Sequence, residues 1–219
     1  MISFEEIERF LPKYLSPTAE QKLFAELEQF PDNIDKRFYS YLLKKKDIIF
    51  QGDGIKDLLV INLPDTRTGN APSMIISNTC DVDPSNLRFF ASRILYAPIF
   101  NLAKYEKNII EDGLKDAESV KSHIETIRKQ FVSQIFYLPP GGDLQEESIV
   151  FLDRIINLPV GYIPKEEIAN KKIFTLSDYG FYLFLFKLSI HFTRIREDFE
   201  RGSEDVKFNK KSLWKRIWG

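Results

Sequence analysis

The sequence predicts an α+β fold, and three observations carry that expectation. Apolar residues recur at helical spacing through the first forty-odd positions, short β-rich runs fill the middle, and a long aromatic-rich helix follows near the C-terminal end. These regions set the expected boundaries: a helical block at 1–46, a β-rich body with a helical insertion and a long helix at 47–200, and a tail at 201–219.

In the first block, Phe4, Ile7, Phe10 and Leu11 form a helical stripe that Pro12 disturbs. Ser16-Pro17 supplies a hydroxyl cap and a proline at the first helical position, so a second helix runs from Thr18 to Phe30 with Leu23, Phe24, Leu27 and Phe30 on one face. After the Pro31-Asp32-Asn33 break, Ile34 to Leu43 reads as a third helix bearing Phe38, Tyr41 and Leu42, and Lys44-Lys45-Lys46 closes the block. Beyond it, Asp47–Asp53 and Leu58–Leu63 are β-rich runs, and Pro64–Pro72 is expected to be a polar loop carrying Arg67. Ser73–Ser77 is apolar without alternation, which predicts a strand buried on both faces. Arg88–Phe100 holds a further strand, interrupted at Pro98. The helical insertion spans about 103–133, its clearest part running from Asp116 to Ser133 with Val120, Ile124, Ile127 and Phe131 as its stripe. Gln134–Leu138 is a strand, Pro139-Pro140-Gly141-Gly142 a turn, and Ile149–Ile156 one more strand. Ser177 caps a helix from Asp178 to Glu200, about 35 Å long at ~1.5 Å per residue, whose first half is apolar nearly all round.

Composition narrows the function classes. With 31 basic and 32 acidic residues among 219, the formal charge is −1, which excludes a globally basic nucleic-acid binder and an acidic disordered chain. A 43% hydrophobic content and 19 phenylalanines are enough for a sizeable core. One cysteine excludes an intrachain disulfide framework or a multi-cysteine zinc site, and two histidines leave little for metal chemistry. No apolar run approaches the ~18 residues of a membrane span, and the first residues are acidic rather than signal-like. The expectation is a soluble, cytoplasmic protein with no metal and no cofactor.

Chemistry-bearing residues concentrate where the buried run ends: Ser77, Asn78, Cys80 and Asp81 lie at the expected rim of a sheet, where loops present functional groups. Asp and Asn also end strands by bonding their own backbone, and a lone cysteine often serves as a small hydrophobe. Cysteine catalysis would need His123 or His191 brought close, and Asp81 and Asp83 oppose thiolate formation. His191, facing Phe184, Leu188 and Ile195, is expected to be a core histidine, and Arg194 to pair with Asp81 or Asp153. Glu146-Glu147 after the Gly-Gly turn is expected to be a solvated edge.

These residues carry a resemblance. Val60-Ile61-Asn62-Leu63-Pro64, a glycine-containing loop and Ala71-Pro72-Ser73-Met74-Ile75-Ile76-Ser77 resemble the opening of the MazF/PemK-type toxins. Ile76-Ser77-Asn78-Thr79-Cys80-Asp81 resembles the S-x-x-C-D signature of bacterial and phage proteins related to them. Similar to that pattern are Ala97-Pro98-Ile99, Tyr137-Leu138-Pro139, Leu152-Asp153-Arg154 and Phe192-Thr193-Arg194, so the resemblance covers about residues 47–200. It implies an SH3-like barrel. The family's arginine before the proline corresponds here to Ala71, and no threonine pair accompanies Ala97-Pro98. Without a guanidinium at that point, RNA cleavage loses its main electrostatic stabilisation, and Arg67 is the nearest substitute.

The resulting expectation is a non-enzymatic binding or interaction protein of a bacterial or phage system, of the toxin–antitoxin or defence kind. The weaker catalytic candidates are Arg67, Cys80 and Asp81; the binding candidates are Ser77, Asn78, Cys80, Asp81, Arg194, Trp214 and Trp218. A metal-independent endoribonuclease acting on RNA is the alternative. A third reading comes from the tail, where Val206–Gly219 carries five basic residues and no acids, with Leu213, Trp214, Ile217 and Trp218 on one helical face. Such a segment docks on the protein itself, on a second copy, on a partner protein, or on an anionic membrane surface.

Overall fold

The computed structural model describes residues 37–193, except 84, 87, 88, 114 and 115, together with the isolated positions Thr18 and Ala25, both helical and exposed. The expected first helix, most of the second, Arg194 and the tail with Trp214 and Trp218 lie outside the described residues.

The described chain is α+β, built on an antiparallel sheet of seven strands. A short helix α1 (Tyr41–Lys44) precedes strand β1 (Gly54–Asn62), which pairs with β2 (Arg67–Ile75). The one-turn helix α2 (Thr79–Val82) leads through a loop to β3 (Arg93–Asn101). Two helices, α3 (Leu102–Glu111) and α4 (Ala117–Arg128), form the insertion before β4 (Ile135–Leu138) and β5 (Ser148–Phe151). The chain continues through β6 (Ile156–Pro159), two 3-10 turns, α5 (Ile168–Lys171) and β7 (Lys172–Phe174) to the helix α6 (Asp178–Thr193). The strand order is β4-β5-β3-β2-β1-β7, with β6 also on β3.

Why Ser73–Ser77 is apolar without alternation is visible in the packing. Met74 and Ile76 enter the larger apolar cluster, with α4, β4, β5 and α6, while Ile75 enters a second cluster with Ile55, Ile94, Tyr96 and Ile168. Successive side chains leave opposite faces of a strand, so both faces are covered here. The stripe of α4 is as expected, with Val120, Ile124 and Ile127 buried and Asp116 capping Ser119 N–H at 2.8 Å. Phe131, expected on that stripe, lies past the helix end and is 62% exposed. Ser177 caps α6 through Gly180 N–H (3.2 Å), and Tyr179, Tyr182, Leu183 and Phe184 are buried. Phe192, in the last turn of α6, is 62% exposed.

Several expected elements are corrected. Phe38 lies in a bend and Tyr39–Ser40 is extended rather than helical, because Tyr39 bridges Leu176 and Ser40 N–H bonds Thr175 O at 2.8 Å. Asp47–Asp53 forms turns, not a strand, and the strand begins at Gly54. The expected loop Pro64–Pro72 is mostly strand: Arg67 already pairs with Asn62, leaving only a four-residue turn at 63–66. The one irregularity in that ladder falls between Ile55 and Leu58, opposite Pro72, where a missing N–H is tolerated. β3 runs through Pro98 without a break. What stops there is its outer ladder, since β6 pairs with Arg93–Tyr96 and β5 with Ile99–Asn101. For the same reason Ile149–Ile156 is two strands, joined by a turn at which Arg154 N–H bonds Phe151 O (3.2 Å).

β4 and β7, at the two ends of the order, share no ladder, so strand pairing does not close the sheet into a barrel among the described residues. The turn after β4 spans the interval: Asp143 N–H donates to Ile173 O at 2.8 Å. That approach depends on glycine. Gly142 has φ +61°, and a Cβ there would lie 2.7 Å from Ile173 O, while one on Gly141 would meet the Tyr39 ring at 2.4 Å.

Candidate functional site

The segment leaving β2 is held to β3 by its own polar side chains. Ile76 and Ser77 N–H groups both donate to Leu95 O (2.8 and 3.2 Å), and Ser77 Oγ accepts Leu95 N–H at 2.7 Å. Ser77 Oγ also donates to Arg93 O at 3.4 Å, so this buried serine carries the ladder one residue past the end of the strand. Asn78 caps α2 by accepting Cys80 N–H at 2.9 Å. Gln51 clasps the same segment from below, donating from its backbone to Thr79 Oγ1 (3.0 Å) and from its side chain to Ile76 O (2.8 Å).

The other two motif residues face outward. Cys80 is an exposed free thiol, and Asp81 is exposed on the same turn. Neither histidine bonds the thiol: Nε2 of His123 lies 3.1 Å from the Tyr105 hydroxyl, and the His191 ring packs against Phe192 at 4.8 Å. Among the described residues no group of three His, Cys, Asp or Glu could hold a metal ion. Arg67 starts β2, ten residues before Ser77. At about 3.3 Å per strand residue the two are roughly 30 Å apart, so Arg67 does not belong to the Ser77–Asp81 segment.

Beyond α2 the chain makes a tied loop. Asp83 accepts Ser85 N–H (2.9 Å) and Ser85 Oγ (2.8 Å), and these bonds hold its carboxyl below the usual carboxylate range. Asn86 Nδ2 donates to Cys80 O at 2.6 Å. On this base the loop presents two consecutive aromatic side chains to solvent, Phe89 fully exposed and Phe90 70% exposed.

Three polar constellations, two of them buried, escaped sequence reasoning. The first is an ion pair with no exposed surface, Lys172 Nζ to Asp53 Oδ2 at 3.0 Å. Asp53 also accepts Phe50 N–H (2.8 Å), and the ammonium sits 4.6 Å from the centre of the Phe50 ring. Burial pushes the Asp53 carboxyl up and the Lys172 ammonium down, while their mutual attraction opposes both. Asp53 Oδ1 and Thr175 Oγ1 are buried, and among the described residues neither meets a partner at hydrogen-bond geometry, although the Thr175 hydroxyl is near enough to favour the ionised Asp53 carboxyl. The second is Lys187, buried in α6, whose ammonium donates to Gln130 O just past the C-terminal end of α4. Burial lowers its pKa to about 8. A signal was present, since Lys187 is the one charged residue between Asp178 and His191 in a helix apolar nearly all round. The third corrects the solvated reading at Glu147, which is half-buried, while Glu146 is exposed as expected. Arg128 grips Glu147 with two bonds of 2.7 Å, the Tyr137 hydroxyl adds another of 2.7 Å, and Arg128 also holds Glu125 at 2.6 Å. The Arg128 bonds, more than any other contact, hold the Glu147 carboxyl below its usual range. Glu146 accepts from Asn101 Nδ2.

No protein-family model matches the chain. No curated protein matches it at a significant level. Among the described residues, no helix is long and apolar enough to cross a membrane.

Proposed function

We propose that this chain is a non-enzymatic binding component whose contact element is the 83–92 loop. The observation that carries this is the pair Phe89 and Phe90, consecutive and exposed, just beyond a stretch whose Asp83–Ser85 and Asn86–Cys80 bonds hold it to α2. Large aromatic side chains exposed to water gain free energy when a partner's apolar pocket covers them. In this reading the S-x-x-C-D segment is the mount rather than the chemistry: Ser77 and Asn78 are used up in backbone bonds, and Cys80 and Asp81 flank the contact.

The scaffold under this reading is an SH3-like barrel of the MazF/PemK kind. What supports it is the antiparallel order, β3 shared by β2, β6 and β5, and the bridging of the sheet's two ends by the 139–144 turn. The setting, a bacterial or phage toxin–antitoxin or defence system, rests on the resemblance alone. The partner is a protein with an apolar pocket.

The test is capture from cells by the full-length wild type and by the F89S/F90S double variant, followed by titration of each purified captured protein. At least one wild-type partner is expected to bind the variant tenfold or more weakly. Equal binding of every partner by both proteins removes the loop from the contact. RNA incubation without metal gives the second arm: cleavage by wild type that is lost in Arg67→Ala would replace the binding reading with the endoribonuclease one.

A further inference from the structure

An aspartate followed by glycine can close on itself, because no side chain on the second residue keeps its nitrogen from the aspartyl side-chain carbon. The sequence holds two such pairs, Asp53-Gly54 and Asp112-Gly113, and the fold treats them oppositely. Asp53 and Gly54 are buried at the start of β1. The Asp53 carboxylate is held by Lys172 Nζ (3.0 Å) and Phe50 N–H (2.8 Å), and Asp53 O accepts Ile75 N–H at 2.8 Å. Gly54 pairs with Met74 on one side and Phe174 on the other, and a Cβ on it would lie 2.5 Å from the Phe174 ring. Turning the peptide between Asp53 and Gly54 would break both ladders and the ion pair.

Asp112-Gly113 lies at the open end of α3. Both residues are exposed, Asp112 is the C-cap, and Gly113 follows at φ +64° with nothing within 4 Å of where a Cβ would stand. Among the described residues the Asp112 carboxyl enters no hydrogen bond or ion pair, and the neighbouring Glu111 is the acid that pairs with Lys107 (3.6 Å). In the helical cap, ψ of −17° at Asp112 keeps the Gly113 nitrogen out of line with the side-chain carbon. Releasing it costs one backbone bond of Gly113, its N–H to Ile110 O at 3.2 Å, at a helix end where local opening takes little free energy.

We propose that Asp112 is a covalent modification site at which the chain passes through a succinimide to isoaspartate, and that the fold protects Asp53 from the same reaction. The Gly113 nitrogen attacks the neutral carboxyl carbon of Asp112. An N–C bond forms, the N–H proton and the carboxyl hydroxyl leave as water, and a five-membered imide results. Water then adds to the main-chain carbonyl carbon of the imide. The bond from that carbon to the Gly113 nitrogen breaks, and a proton returns to the nitrogen. The main chain now runs through the former side-chain carbonyl, one methylene longer between α3 and α4, and the α-carboxylate is free. Water is the only co-reactant. A free α-carboxylate on an exposed turn is the group that an isoaspartyl carboxyl methyltransferase esterifies, so an enzyme of that class is the partner this site fits.

The experiment incubates the full chain at about 37 °C in mildly acidic buffer, folded or unfolded in guanidinium, with reductant for the exposed Cys80. Trypsin then releases peptides 47–56 and 108–115. Isoaspartate is read by chromatographic shift with electron-transfer fragmentation, and by methyl transfer from S-adenosylmethionine with a purified isoaspartyl methyltransferase. In the folded chain Asp112 is expected to isomerise at least tenfold faster than Asp53, and within about fivefold of its own rate in the unfolded chain. Unfolding is expected to bring Asp53 to within about fivefold of Asp112. Asp112→Glu, whose longer side chain would have to close a six-membered ring, is expected to lose the signal in peptide 108–115. A signal that persists in that variant belongs to Asn108 and overturns the assignment. Folding that slows Asp112 more than fivefold overturns the proposal, and so does a folded Asp53 that isomerises as fast as Asp112. An Asp53 that stays slow in the unfolded chain removes the fold as the cause of its protection. None of these outcomes bears on the Phe89–Phe90 contact, which the F89S/F90S variant tests separately.

Discussion

Replacing Lys187 by methionine should stabilise the protein near pH 7 and destabilise it near pH 10. Lys187 is buried, and its ammonium has one acceptor among the described residues, Gln130 O. Lowering its pKa from 10.5 to about 8 costs the ionised form about 3 kcal/mol, at 1.36 kcal/mol for each tenfold change. The unfolded chain, with the ordinary lysine value, binds more protons than the folded one between about 8 and 10.5, so this group's contribution to stability rises with pH through that window. Below pH 8 the full penalty applies. Methionine matches the stem and removes the charge, but leaves the Gln130 carbonyl without its donor, a loss of about 1–2 kcal/mol. The balance is a gain of about 1–2 kcal/mol near pH 7 and a loss of up to about 1 kcal/mol near pH 10, where little of the penalty remains and the neutral amine still donates. Urea denaturation of both proteins at several pH values measures this, and other titrating groups cancel in the difference. A wild-type-minus-variant difference that stays flat from pH 7 to 10 refutes the reasoning, since Lys187 would then titrate alike in both states.

Three further outcomes are expected. Asp53→Asn leaves the buried Lys172 ammonium without its counter-charge and should cost about 3–5 kcal/mol, with part regained when Lys172→Met is added; chemical denaturation reads both. Gly142→Ala strains a backbone at φ +61° and drives a methyl against Ile173 O, so the melting temperature should fall by an amount equivalent to about 1–3 kcal/mol, whereas Gly69→Ala, facing open space, should shift it little. Ser77→Ala strips the Leu95 N–H of its partner and should cost about 1–3 kcal/mol, while Cys80→Ser, at an exposed position, should leave stability within about 0.5 kcal/mol; equal losses would put the S-x-x-C-D segment's weight elsewhere.

The candidate site was legible in part. Asn78 at the end of a buried run reads directly as a cap, because that bond spans two residues of the chain. Ser77 does not announce its partner, since Leu95 lies eighteen residues on and across a ladder. The exposure of Phe89 and Phe90 runs against residue type, as phenylalanine is usually buried, and nothing local in the sequence distinguishes them from core. The Asp53–Lys172 pair joins positions whose partnership exists only after β7 pairs with β1.

The sequence by itself determined what short-range bonds and periodicity encode: the two-faced burial of Ser73–Ile76, the apolar stripe of α4, the Ser177 cap of α6 and the Gly141-Gly142 turn. Tertiary packing alone settled that Tyr39 is extended against Leu176, that Pro98 divides a ladder rather than a strand, and that Gln130 bonds both backbone groups of Tyr137 at the edge of β4. The physical reason is range. A cap or a stripe is satisfied within a few residues of itself, whereas these features depend on groups far apart in the chain, on the opposite edge of a strand, or on a neighbouring helix, whose positions exist only once the sheet has formed.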